Sequence, residues 1–224
     1  MNDLSIKWKD FYKNVFALVV PMALQNLINV GVQAANVGVT AADVVMLGKV
    51  SEKVLSGASL AGQIQYIMVL FLFGLTSGAT VLTAQYWGKG DKTAIEKILA
   101  LGIRSAVIVT AIFTIAAFTI PASLMRIFTN DPLVIAEGVK YLRIVACSYI
   151  IMGITNVYLY VMRSIERVIV ATVVYLVSFL CNVVFNAIFI FGLFGFPALG
   201  IRGAAIATLI ARIMELVLVC GYEK

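Results

Sequence analysis

Asp43 is a carboxylate in a place where charge is expensive. It lies toward the end of PMALQNLINVGVQAANVGVTAADVVMLG, residues 21–48, an apolar run long enough to cross a bilayer that also carries Gln25, Asn26, Asn29, Gln33 and Asn36. An ionisable group in such a segment faces a bundle interior or a water-filled cavity, and is by default a functional group. The bland alternative is an acid near a helix end that meets water or pairs with Lys49. Two further constellations sit in later apolar runs. Asn182 and Asn186 stand at i and i+4 in VVYLVSFLCNVVFNAIFIFGLFG, hence on one helical face. They are either part of a polar site or two amides bonding a neighbouring helix. AAIATLIARIMELVLVCGYEK contributes Thr208, and Arg212 and Glu215, three apart, are placed to pair on one face.

The chemistry these residue types support is reversible cation or proton binding. An ionised carboxylate supplies charge, while amide and hydroxyl oxygens replace part of a hard cation's hydration shell. A desolvated carboxylate also takes a proton more readily, so one site can hold either ion. Covalent or acid–base catalysis has little to work with. The chain has no histidine, and no paired acids or Ser/Lys motif converge in the apolar runs, so an intramembrane enzyme is not expected. Cys147, Cys181 and Cys220 lie in apolar runs without CxxC spacing and read as packing residues rather than a zinc site or disulfide framework.

Composition sets the elements that must hold these groups. With 62% hydrophobic and 12% charged residues in 224, and a mean hydropathy of +1.03, the chain has too little polar surface for a soluble domain. It reads as an all-α, multi-pass membrane protein in contact with lipid. The net charge of +6 does not point to nucleic acid, because the Lys and Arg residues sit between apolar runs rather than along one face. Segments of ~20 apolar residues span the hydrocarbon core. Six qualify, at about 14–48, 54–82, 97–121, 134–161, 168–193 and 202–221, preceded by a basic segment 1–13. The apolar run after that segment is too long for a signal peptide, and no small-residue cleavage site closes it.

The first span is too long for one straight crossing, and a tandem repeat explains it. NVGVQAA at 29–35 is followed at once by NVGVTAA at 36–42. Seven residues are nearly two helical turns, so the duplication lengthens a helix while rotating its faces by only ~20°. Asn36 and Asp43 then share a stripe. The second span mixes small residues with Gln63 and Gln65, and it closes on YWGKGDK, suited to a membrane interface and a basic cytoplasmic loop. In the third, Arg104 snorkels to the headgroups. Asn130 and Asp131 before Pro132 mark a helix start, and Asn156 lies deep in the fourth span. Gln33, Asn36, Gln63, Tyr66 and Asn156 are the candidates for lining a cavity. Ten Lys and Arg residues fall on the side of the N-terminus, the 86–104 and 163–167 loops and the C-terminus, against six on the other, which puts both termini in the cytoplasm.

Taken in order, the pieces Pro21 with LQNLIN, DVVMLG, LSGASLAGQIQ, TAQYWGKGD and NVVFN…IFG…ALGIRGAAIAT resemble the multidrug and toxic compound extrusion (MATE) transporters across nearly the whole chain. That resemblance implies a twelve-helix fold of two six-helix lobes around a central cavity, with this chain corresponding to the amino-terminal lobe alone. The second lobe would be supplied separately or by a homodimer partner. It also implies exchange of small organic, often cationic, compounds for protons or sodium ions at the cell membrane, with no cofactor beyond the coupling ion. Residue by residue, Asp43 matches the family's first-span acid, Asn182 and Asn186 match a fifth-span pair whose second member is Asp in some relatives, and Thr208 matches a sixth-span hydroxyl. Asn186 therefore leaves one charge where some relatives have two. Distance from Pro21 would put the family's acid at Asn36, whereas the following MLG puts it at Asp43. The rival readings are a fragment that assembles with a partner lobe without transporting, and a flippase for lipid-linked oligosaccharides. A flippase would need several Arg or Lys in its cavity.

Overall fold

The computed structural model describes residues 44–222, and among these every regular element is helical. Most of the first predicted span lies outside the described residues, and with it the tandem repeat, Gln33, Asn36 and Asp43. Residues 44–48 are helical, and a turn follows. Ser51 caps the next helix by accepting the Lys53 backbone N–H at 3.3 Å. This helix, α1, is Glu52–Gly88. Its 37 residues make a rod of roughly 55 Å, longer than the hydrocarbon core.

Gly90, at φ 73°, turns the chain, and Asp91 caps α2, Lys92–Thr119, by accepting the Ala94 N–H at 3.0 Å. Pro121 stops that helix and opens the short α3, Pro121–Arg126. Asp131 then accepts the N–H groups of Leu133 and Val134, with Pro132 in the first turn of α4, Pro132–Ala146. The expected helix start at Asn130–Pro132 is realised in this cap.

The predicted fourth span, 134–161, is two helices. α4 is followed by α5, Tyr149–Ser164, with a bend of 54° between them. Neither Pro nor Gly marks the break. Instead, Ser148 turns both its N–H (2.8 Å) and its hydroxyl (2.7 Å) onto the Val145 carbonyl, drawing the chain out of the i→i−4 pattern. The helix α6, Val168–Phe191, ends on Gly192 at φ 73°. A single 3-10 turn, Leu193–Gly195, leads to α7, Ile201–Tyr222.

Among the described residues, four helices (α1, α2, α6, α7) are long and apolar enough to cross a membrane, and the bent α4–α5 pair is a fifth candidate. The interior is built from α1, α2, α4 and α5 around Met68, Leu72, Leu142, Tyr149 and Met152, while α7 packs most extensively on α6 and also touches α4 and α5. Outward faces carry large apolar side chains. On α2, Leu101, Ile108, Ile112 and Ile115 are all more than half exposed and follow helical spacing, a stripe suited to lipid. Small residues set the closest approaches. A Cβ on Gly57 would lie 2.8 Å from Gly138 N, so α1 meets α4 backbone to backbone.

Candidate functional site

Along α6, Ser178, Asn182 and Asn186 follow one another at four-residue intervals, and all three are buried. They face α7. Its register is fixed at one end by Leu199, whose N–H donates to the Phe189 carbonyl at 2.9 Å, and by Gly203, which is packed on the same carbonyl. At the other end, Ser178 Oγ donates to Glu215 at 2.7 Å. Along α6, Asn182 and Asn186 lie between these two contacts, and along α7 so does Thr208.

The amide of Asn186 donates to Asn182 Oδ1 at 2.9 Å, so the two candidates from the sequence are in direct contact. Asn186 is fully buried and Asn182 nearly so. Thr208 is half-buried and gives its proton to the Ala204 carbonyl at 3.0 Å, which leaves its oxygen lone pairs as acceptors. These three side chains offer neutral oxygen donors to a hard cation. Among the described residues no group of three or more His, Cys, Asp or Glu comes together.

A cleft of about 480 Å³ opens between residues 44–47, α1, α4 and α7. Of the cavity candidates, Gln63 and Tyr66 line it, Tyr66 with 59% of its surface exposed. Ser59, Gln65 and Tyr141 complete its polar wall, and among the described residues no Asp, Glu, Lys or Arg lines it. Val44, the residue that follows Asp43 in the chain, is on the same wall. Asn156 lies elsewhere. It is half-buried on α5 and donates to the Met152 carbonyl of its own helix at 2.9 Å.

The arrangement also contains a group that sequence reasoning left as a simple pair. Glu215 is 2% exposed and accepts two hydrogen bonds on Oε1, from Arg212 Nη1 at 2.7 Å and from Ser178 Oγ at 2.7 Å. The i,i+3 spacing of Arg212 and Glu215 was readable; the third partner was not. Its signal is the position of Ser178 one turn before Asn182, which extends the Asn pair into a stripe. Beyond it, the Arg163 guanidinium stacks on the rings of Tyr160 and Tyr175, 5.2 and 5.1 Å from their centroids. Arg167 donates to the Tyr222 hydroxyl at 2.8 Å.

At the opposite end of the bundle, Lys53 of α1 pairs with Asp131 at the start of α4. The Lys53 ammonium, helped by the Leu133 N–H, holds the Asp131 carboxyl below the usual carboxylate range.

The fold and the interior polar groups define a class, a multi-pass helical membrane protein with an internal cleft and a dry seam of amide, hydroxyl and carboxylate groups. The chain belongs to the MatE family, whose model matches residues 21–188. It is 27% identical over 217 residues to a probable multidrug resistance protein NorM of Rhizobium meliloti, covering 97% of this chain and 45% of that one. It is 30% identical over 176 residues to a probable NorM of Thermotoga maritima, covering 76% and 37%. Among solved structures, an outward-facing multidrug resistance MATE family transporter of the MOP superfamily superposes with a TM-score of 0.79 at 20% identity, over 92% of this chain and 44% of that one. A MATE crystal structure in the bent conformation gives 0.78 at 21%, over 94% and 45%. The chain thus spans less than half the length of the curated relatives it matches. Its fold is one lobe of a MATE transporter, and members of the family are transporters, not enzymes.

Proposed function

We propose that this chain is one lobe of a cation-coupled multidrug efflux transporter, exchanging organic cations for protons or sodium ions across the cell membrane. The observation that carries the reading is the buried, hydrogen-bonded Asn182–Asn186 pair of α6, in the same bundle as a cleft walled by Gln63, Tyr66 and Tyr141. In this reading Asp43 supplies the charge of the coupling site, and Asn182, Asn186 and Thr208 supply neutral oxygens. Loading the ion changes the packing of the first span and lowers affinity for the organic cation, which is released outward. Coupling of this kind requires ion and cargo to favour different states of the bundle.

The described part of the wall, neutral, aromatic and amide, favours a polyspecific cleft for small organic compounds over a pyrophosphate site, which would need cationic lining. Because the chain spans about 45% of its relatives, the lobe is expected to act with a second six-helix lobe, either a separate one or a second copy of this chain. Both termini then face the cytoplasm.

The test is ethidium efflux from cells or vesicles carrying this chain, in parallel with a fusion to a matching second lobe. Efflux that collapses with the proton or the sodium gradient supports the reading and names the ion. Asp43→Asn in the exporting form is expected to abolish exchange, and unchanged exchange would refute the role of Asp43. Export by the fusion alone would make this chain a lobe that needs its partner.

A further inference from the structure

No charged residue occurs between Arg167 and Arg202, so α6, the turn Leu193–Gly195 and the approach to α7 form one uncharged stretch. At the turn stands Phe194, 88% exposed, the most exposed large apolar side chain among the described residues. Leu193 and Phe196 beside it are about half exposed.

The turn is tied down by its own backbone. Gly192, at φ 73°, brings the chain back so closely that a Cβ there would lie 2.7 Å from the Phe196 carbonyl oxygen and 2.8 Å from Ala198 N. The Phe196 N–H donates to the Leu193 carbonyl at 3.3 Å, and the Leu199 N–H to the Phe189 carbonyl at 2.9 Å. The Phe196 ring meets Phe189 edge-on at 5.6 Å, and Phe189 stacks on Phe185 at 5.7 Å. These contacts hold Phe196 against α6 and leave Phe194 outside them. Phe194 also has φ 57°, in the left-handed region. Gly192 and Gly195 adopt that region freely, but for a residue with a Cβ it is strained. A strained residue whose ring gains little packing within the fold points to a contact outside it.

Two features identify that contact. Val173, Leu176, Leu180, Val184 and Phe191 follow helical spacing along α6, all exposed, and this lipid-facing stripe ends three residues before Phe194. The 24 residues of α6 make a rod of roughly 36 Å, slightly longer than a hydrocarbon core of ~30 Å, so its end reaches the boundary of acyl chains and headgroups. Exposed Phe and Leu side chains bury their apolar area at that depth.

We propose that the α6–α7 turn is a membrane-interface anchor, with Leu193 and Phe194 seated among the acyl chains just below the headgroups of the leaflet opposite the 163–167 loop. Its partner is the lipid surface, bound through apolar area rather than charge, since the segment carries none. The Phe189 carbonyl that holds Leu199 also meets Gly203, so the anchor fixes in the bilayer the end of the seam where α7 lies on the α6 backbone. The inference does not depend on the cargo or the coupling ion.

The test is depth-dependent fluorescence quenching on the full chain in lipid nanodiscs. Trp8 and Trp87 are replaced by Phe, and a single reporter is introduced as Phe194→Trp, with Leu193→Trp as a second reporter on the same turn. Ile108→Trp, 63% exposed in the middle of α2, is the deep reference. Emission from Phe194→Trp is expected to be blue-shifted from that of Trp in water. It should lose most of its intensity in phosphatidylcholine brominated at the headgroup end of its acyl chains, and less where the bromines sit at the chain ends. Ile108→Trp should show the reverse order, and aqueous iodide should quench neither. Emission from the turn that iodide quenches and brominated lipid does not would overturn the proposal, because the turn would then stand in water. Blue-shifted emission that neither quencher reaches would overturn it too, because a protein surface, a second lobe or a second copy, would then cover the turn.

Discussion

Gly203→Ala is expected to loosen the α6–α7 seam, and its size can be worked from distances. A Cβ on Gly203 would lie 2.5 Å from the Phe189 carbonyl oxygen, 2.6 Å from its carbon and 3.0 Å from Ile190 N. All three atoms are backbone, so no side chain can swing aside. Ordinary contact begins near 3.4 Å, so the helices must part by about 0.9 Å at this point. Overpacking of this kind costs about 1–3 kcal/mol. The same carbonyl accepts the Leu199 N–H at 2.9 Å, and losing that bond adds about 1 kcal/mol. Gly78→Ala supplies the control. It lies within α1 with nothing inside 4 Å of its Cβ position, so the gain in helix propensity, about 0.5–1 kcal/mol, should stand alone. The two Gly→Ala changes therefore have opposite signs. Thermal unfolding of a fluorescent-protein fusion, followed by size-exclusion chromatography in detergent, checks them side by side. Should Gly203→Ala melt at or above wild type, the close backbone approach of α7 to α6 would be refuted.

Three further outcomes are expected. Ser178→Ala removes one of the two hydrogen bonds to the buried Glu215 carboxylate and should destabilise the lobe by about 1.5–3 kcal/mol, while Ser178→Thr retains most of it, as measured by the same melt. The Lys53–Asp131 contact should give acid-sensitive stability. Its carboxyl sits lower in the folded chain than the ordinary value near 3.9, so its contribution is complete above that value and is lost as pH falls through the depressed one; Asp131→Asn should flatten that acid limb in a pH series of melts. Replacing both Asn182 and Asn186 by Leu should leave the lobe folded, by the same chromatography, but abolish ion-coupled ethidium export in the exporting form; export that persists with its ion dependence would exclude the amide pair from coupling.

How much of this was legible in sequence depended on which forces decide each feature. The long apolar runs of α1, α2, α6 and α7 announce themselves, because a bilayer forces backbone groups to pair within a helix. The cap at Asp131 was readable for the same local reason: Asn-Asp-Pro can hardly do anything else. The break at Cys147–Ser148 was not. Its residues are compatible with an uninterrupted helix, and the bend goes with α4 packing mainly on α1 and α5 mainly on α2, while Ser148 satisfies the carbonyl left behind. In the site, the four-residue spacing placed Asn182 and Asn186 on one face without help from structure. Gln63 and Tyr66 stood out as polar groups in an apolar run, and both line the cleft. Asn156 carried the same sequence signal and instead bonds its own helix, since an amide in a membrane segment has a backbone acceptor one turn away as well as a cavity to face.

Glu215 shows why register matters more than residue type here. Sequence offers it Arg212 at i−3 and nothing else. Only the antiparallel seam brings Ser178, 37 positions away, to the same carboxyl oxygen. That seam exists because α7 opens with Gly203, whose missing side chain lets it lie on the Phe189 carbonyl of α6 at backbone distance. Close approach excludes water. Exclusion of water is in turn what makes one hydroxyl, two amides and one ion pair strong enough to matter, because each interaction grows as the local dielectric falls and each unmet group becomes more costly. Small residues on α7 and polar residues on α6 are therefore one device rather than two. Widening the seam with a methyl at Gly203 should weaken the hold of Ser178 on Glu215 even though no polar atom is touched. A Gly203→Ala/Ser178→Ala double variant should then be less destabilised than the sum of its parts, and strict additivity in the melt would separate the packing of the seam from its chemistry.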